Sequence, residues 1–225
     1  MSDEKVLTKE IAEQYLEDED DVELDEFTAI EDEAAESLSQ HKGPPEWLVI
    51  EAGMEHVNFG LPLDGLTSLS DAAAESLSKH IGQWLSFKSL TSLSDAAAES
   101  LSKHSGGWLY INSLSDEAAE RFSKHRGGRL ELNGLTSLSD AAANSLSEYK
   151  GELGLDGLTG LSDAAAESLS KMAGGLGLNG LTSLSDAAAE SLSKYTGKLY
   201  GIAPDDFPKS AAAILRKHPS FADED

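Results

Sequence analysis

Leu69-Ser70-Asp71-Ala72-Ala73-Ala74-Glu75-Ser76-Leu77-Ser78-Lys79 decides the fold, because it returns along the chain at nearly constant intervals. Its aspartate falls at Asp71, Asp95, Asp116, Asp140, Asp163 and Asp186, in steps of 24, 21, 24, 23 and 23 residues. A diverged copy surrounds Asp32, in Ile30-Glu31-Asp32-Glu33-Ala34-Ala35-Glu36-Ser37-Leu38, and brings the copies to seven. The short step has a visible cause: Asn112-Ser113-Leu114 lacks the Leu-Thr-Ser present elsewhere. A period in this range marks an array of one small supersecondary unit.

Each unit reads in two parts. The first is a Leu-x-Leu pair and a turn, as in Leu130-Glu131-Leu132-Asn133-Gly134-Leu135. Alternation with period two marks a short strand, and Asn-Gly or Asp-Gly marks the chain leaving it. The second part is helical. Ser70 or Asp71 can cap the orphan amides, and an acid in the first turn suits the helix dipole. Ala73, Ala74, Leu77 and His80 share one face. Glu75 and Lys79 sit four apart on another, a spacing repeated at Glu99/Lys103, Glu120/Lys124, Glu167/Lys171 and Glu190/Lys194. Glycines follow the helices, as at Gly82, Gly106 and Gly127, where a C-terminal cap is expected.

No such unit buries its own apolar face. A few leucines at about 1.5–3 kcal/mol each do not offset ordering a whole repeat at roughly 1–2 kcal/mol per residue. Stacking of neighbours closes the core, so the expected fold is a curved α/β solenoid, with short parallel strands on one face and helices on the other.

The repeat of 21–24 residues resembles the leucine-rich repeat family. It is most similar to the bacterial variety with units such as Leu178-Asn179-Gly180-Leu181-Thr182-Ser183-Leu184-Ser185-Asp186-Ala187-Ala188-Ala189-Glu190-Ser191-Leu192. The likeness covers about residues 22–202. It implies protein binding through the strand face. The family pattern places an asparagine three residues after the second strand leucine, where this chain has Leu135 or Leu181. The resemblance therefore puts the asparagine ladder in doubt, with Thr136, Ser137, Thr182 and Ser183 as substitutes.

Around the solenoid, residues 1–21 read as an acidic capping helix and loop, and residues 203–225 as a C-terminal cap and acidic tail. In the first cap Thr8 to Glu17 is helical, with Ile11, Ala12, Tyr15 and Leu16 on one stripe. Val22 to Phe27 is the expected first strand and turn. In the second, Pro208 suits a first helical position and Pro219 a stop. The interval between Asp32 and Asp71 exceeds a repeat. It offers Leu48-Val49-Ile50 and Leu61-Pro62-Leu63 as strands around an insertion at about 51–65 that contains Met54, His56 and Phe59.

Net charge is −24, and residues 1–36 hold 16 acids against two lysines. That disfavours nucleic acid and anionic membrane as partners, both of which need a basic surface, and suits a basic one. There is no apolar run long enough to span a membrane and no secretory signal pattern at the N-terminus. With no cysteine, disulfides, cysteine-ligated zinc and thiol catalysis are all excluded. The cytoplasm is the expected compartment, with secretion lacking a signal peptide also open. Ser76-Leu77-Ser78-Lys79 resembles a Ser-x-x-Lys catalytic signature, but it recurs at Ser100, Ser168 and Ser191, as an exposed helix consensus does. Gly175-Leu176-Gly177-Leu178-Asn179-Gly180 contains its strand rather than following one, so it is no dinucleotide fingerprint. No catalytic residue, cofactor or metal site is expected. His41, His80, His104 and His125 share one helix position with Tyr149, Met172 and Tyr195. A semi-buried packing slot is the expectation, and metal binding or pH sensing the alternative.

If Leu85 and Phe87 point inward, Trp84, Ser86 and Lys88 point out onto the strand face. The same parity places Trp47, Trp108, Tyr110, Arg129 and Glu131 there, so all three tryptophans fall in one outward column. Clustered exposed aromatics mark binding sites. The candidate partner-binding residues are thus Trp47, Trp84, Ser86, Lys88, Trp108, Tyr110, Arg129 and Glu131, with Gly154, Gly175 and Gly177 leaving the rest of the face shallow. The tryptophans serving instead as structural cover remains the competing reading. Three functions stay open: a protein-interaction module first, a glycan-binding aromatic ladder second, and a self-associating repeat without a dedicated ligand third.

Overall fold

The computed structural model describes residues 4–43 and 59–221. It divides into two compact units, residues 1–112 with 125–128, and residues 113–124 with 129–225. The first unit opens with β1 (Val6–Leu7), α1 (Lys9–Glu17), β2 (Ala29–Ile30) and α2 (Asp32–Ser39). It continues with β3 (Gly60–Pro62), α3 (Asp71–Leu77), β4 (Trp84–Phe87), α4 (Asp95–Leu101) and β5 (Trp108–Ile111). β1 pairs with β2, and β3 with β4 and β4 with β5, all parallel. The second unit runs α5 (Asp116–Phe122), β6 (Arg129–Glu131), α6 (Asp140–Leu146), β7 (Glu152–Gly154) and α7 (Asp163–Leu169). It ends with β8 (Leu176–Gly177), α8 (Asp186–Ser193), β9 (Leu199–Tyr200) and α9 (Lys209–Leu215). β6 to β9 pair in chain order, again parallel. Each unit is an α/β repeat solenoid, the expected class, and all seven repeat helices begin at their aspartate. Among the described residues no helix is long and apolar enough to cross a membrane.

The core follows the parity of the sequence. Leu85, Phe87, Leu109, Ile111, Leu130, Leu132, Leu176 and Leu178 are fully buried, as are Ala73, Ala74 and Leu77 and most of their counterparts. The alanines let the helix backbones lie close to the strand layer, because nothing larger than a methyl separates them. On the opposite helix surface Lys79–Glu75, Lys103–Glu99, Lys124–Glu120 and Lys171–Glu167 pair at 3.1–3.5 Å. These exposed pairs add little stability.

Serine and aspartate at the helix start divide the labour. The serine is the cap: Ser162 Oγ accepts from the Ala165 amide at 3.0 Å, and its counterparts do the same. The aspartate serves the next coil. Ser162 Oγ also donates to Asp140 Oδ1 of the preceding repeat at 2.5 Å. Ser94 likewise reaches Asp71 in the first unit, and Ser185 reaches Asp163 in the second. One hydroxyl thus closes a helix and latches two coils. Ser162→Ala is expected to lose both and cost about 1–2 kcal/mol, read as a fall in the denaturant midpoint at unchanged m-value. An unaltered midpoint would discard the latch.

A polar ladder also runs beside the strands, at a different position from the family's. In the first unit Asp64 Oδ1 accepts from the Lys88 amide at 3.3 Å, and Asn112 Nδ2 donates to the Lys88 carbonyl at 2.8 Å. In the second, Asn133 accepts from the Asp156 amide at 2.9 Å, and Asp156 from Asn179 at 3.0 Å. Threonines form the expected hydroxyl ladder too: Thr67 donates to Thr28 O at 3.1 Å and Thr182 to Thr159 O at 3.1 Å.

Several local expectations are corrected. Val22 to Phe27 contains a single 3₁₀ turn, Leu24–Glu26, that buries Leu24. The strand forms at Ala29–Ile30, because that is where Val6–Leu7 supplies a backbone to pair with. Pro208 caps α9 from outside rather than starting it, and Pro219 opens a 3₁₀ turn to Phe221. Gly82, Gly106 and Gly127 are not left-handed caps: among the described residues only Gly43 and Gly201 have positive φ. They are glycines because a Cβ would strike the imidazole two residues earlier.

Those imidazoles form a buried column in the first unit. His41, His80, His104 and His125 are at most 6% exposed. The His41 and His80 rings stack at 5.7 Å, and His80 and His104 at 6.4 Å. Phe59, from the expected insertion, is half-buried and packs edge-on against His41 and His80. Burial holds His80 and His104 down to about 4, and neighbouring histidines push the same way. Burial lowers His125 as well, against a bond from its ring to Ser102 O at 3.1 Å. Packing is thus the observed role. Among the described residues no three histidines or carboxylates converge to hold a metal.

Candidate functional site

The strand face of the first unit carries the aromatic residues. Parallel pairing sets Trp84 beside Trp108 and Ser86 beside Tyr110. Trp84 is half-buried because its ring lies against Gly60 on the adjoining strand, where a Cβ would overlap the indole. Trp108 stays 43% exposed, and its ring meets Tyr110 edge-on at 6.1 Å. Pro62, Asp64, Trp84, Ser86, Lys88, Trp108 and Tyr110 together line a hollow of about 280 Å³.

The polar side of the hollow is an ion pair between coils. Lys88 Nζ lies 2.7 Å from Asp64 Oδ2 and 5.5 Å from the centre of the Tyr110 ring. The other carboxylate oxygen of Asp64 takes the Ser86 hydroxyl and the Lys88 amide. Ser86 is therefore on the outward face yet only 2% exposed, since Asp64 covers it. Asp64 is the residue that strand parity misses. The signal for it is an acid and a base at the same repeat position in successive coils, Asp64 and Lys88, which places opposite charges side by side across a strand pair.

In the second unit the same face is closed by its own side chains. Arg129 pairs with Glu131 and, at 3.3 Å, with Glu152. Glu131 is 5% exposed because its carboxylate lies over Gly154 and takes the Asn133 amide at 2.7 Å. Tyr200 reaches across Gly175 to donate to Glu152 at 3.2 Å, with Lys198 Nζ 4.8 Å from its ring centre. Asp156 sits over Gly177. The glycines expected to leave a shallow bare face are thus roofed. A missing side chain is filled by a neighbour's rather than left open.

Of the eight candidate residues, Trp84, Ser86, Lys88, Trp108 and Tyr110 are brought together in the first unit. Arg129 and Glu131 belong to the ion-pair network of the second, with Glu131 buried. Trp47, with Leu48 to Ile50 and residues 51–58 of the insertion, lies outside the described residues. No family model matches the chain, and no curated protein or solved structure matches it.

Proposed function

We propose that the chain is a non-catalytic protein-interaction module that holds a partner on the strand face of its first unit. The observation that carries this reading is the hollow walled by Trp84, Trp108 and Tyr110, in which a tryptophan stands 43% exposed. A soluble protein gains nothing by leaving an indole in water, and aromatic side chains dominate the energetics of interfaces. Leucine-rich-repeat kinship of the bacterial kind, which the repeat unit suggests, supports the same use of the strand face. The absence of cysteine suits the cytoplasm as the place of work.

Tryptophan emission and iodide quenching test the premise in the wild type, Trp84→Phe and Trp108→Phe. The expected result is a red-shifted, quenchable component that disappears with Trp108. Blue-shifted, protected emission from Trp108 would make the column structural cover and withdraw the site. Oligosaccharide titration provides the second arm: saturable quenching abolished by Trp108→Ala would replace the protein partner with a glycan.

A further inference from the structure

We infer that the hollow on this strand face takes a cation, the guanidinium or ammonium of a basic side chain carried by the partner polypeptide. The inference rests on the binding reading above and names its chemistry.

Three aromatic rings border the hollow, and the face of an aromatic ring is its negative side. Beside them stands a fixed carboxylate. Asp64 is pinned through one oxygen by Ser86 and by the Lys88 amide, while its other oxygen faces an ammonium. Lys88 itself shows what the site accepts, since it sits on Asp64 and over Tyr110 as an incoming cation would. Its side chain is 55% exposed on a flexible stem, so it can swing into water and leave the carboxylate to a newcomer. The exchange replaces one ion pair by another and leaves no charge stranded. A guanidinium gains more than an ammonium there, because it is planar, stacks on indole and meets a carboxylate with two parallel bonds.

The surrounding charge agrees. Residues 1–112 carry 24 acids against six lysines, a net −18 of the chain's −24. Such a field draws basic segments toward the unit and repels acidic ones. Asp64 Oδ2 also loses its donor whenever the Lys88 ammonium swings away, and a purely apolar ligand does not replace it.

The test is a selection of displayed random peptides on the full chain, with counter-selection on Trp108→Ala. Peptides that depend on Trp108 are expected to be enriched in arginine and lysine. The strongest, synthesised and titrated, is expected to weaken about tenfold on Asp64→Asn. It should tighten on Lys88→Gln, which removes the resident cation. Tightening cannot arise from misfolding, so this variant guards against a loss caused by an altered fold in Asp64→Asn. Lys79→Gln makes the same charge change on the helix side and is expected to leave affinity unaltered. Equal tightening in both lysine variants would reduce the attraction to bulk charge and overturn the inference. Trp108-dependent peptides without basic residues would overturn it too, while the binding reading stood. No Trp108-dependent peptide at all would remove both.

Discussion

Acidification is expected to strip stability from the first unit, on the order of 3 kcal/mol for each of His80 and His104 by about pH 4. In the unfolded chain a histidine takes its proton near pH 6.5. In the folded chain burial delays it to about 4 for both rings. Between those values the unfolded state holds more protons, so stability is complete above pH 6.5 and falls as the pH drops toward 4. Charging one ring also opposes charging the next, since the stacked centres lie 5.7 and 6.4 Å apart. Glu19, 2.8 Å from His41 Nε2, is the carboxylate facing the column at its outer end. The second unit shows what the slot accepts without a proton: Met172, buried at the corresponding repeat position. His104→Met is therefore expected to keep much of its melting temperature at pH 4.5 while the wild type loses more. Parallel losses in the two proteins would remove the column as the cause.

Gly174→Ala is expected to cost about 3 kcal/mol in the second unit, the upper end of the ordinary penalty for overfilling a site. The added methyl would overlap the Gly151 carbonyl oxygen and stand 3.0 Å from Lys150 O, both backbone atoms that no rotamer change moves. Tyr195 donates its hydroxyl to Gly174 O, so the peptide is held from the other side as well. Gly160 is the control. It replaces the serine of the usual Leu-Thr-Ser, and a Cβ there would meet only Ser183 Oγ at 3.4 Å. Gly160→Ser is expected to be neutral or to stabilise by about 0.5 kcal/mol. Thermal melts of the two variants decide the matter, and a Gly174→Ala melt matching the wild type would show that the coils can separate there.

Repetition made the architecture legible. Seven copies fix each helix start at an aspartate, and the Leu-x-Leu parity puts Trp84 beside Trp108 before any coordinate is known. Parity states which face a residue leaves from, but not what leans over it. Ser86 and Glu131 leave from the outward face and are buried, because Asp64 covers one and Glu131 folds over Gly154. The glycines misled for the same reason. After the helices they record the place of the histidine ring two residues earlier, and along the strands that of a carboxylate carried by the preceding repeat. The first strand was misplaced because its partner, Val6–Leu7, lies outside the period altogether.

The serine-to-aspartate latch gives the array a direction. Within each unit a coil latched this way offers an acceptor forward and a donor backward, so a coil placed at such a junction meets the partners it needs. The series ends where α9 follows Pro208, whose side chain has no hydroxyl to give Asp186. A further latched coil after Asp186 would need a hydroxyl where Pro208 stands.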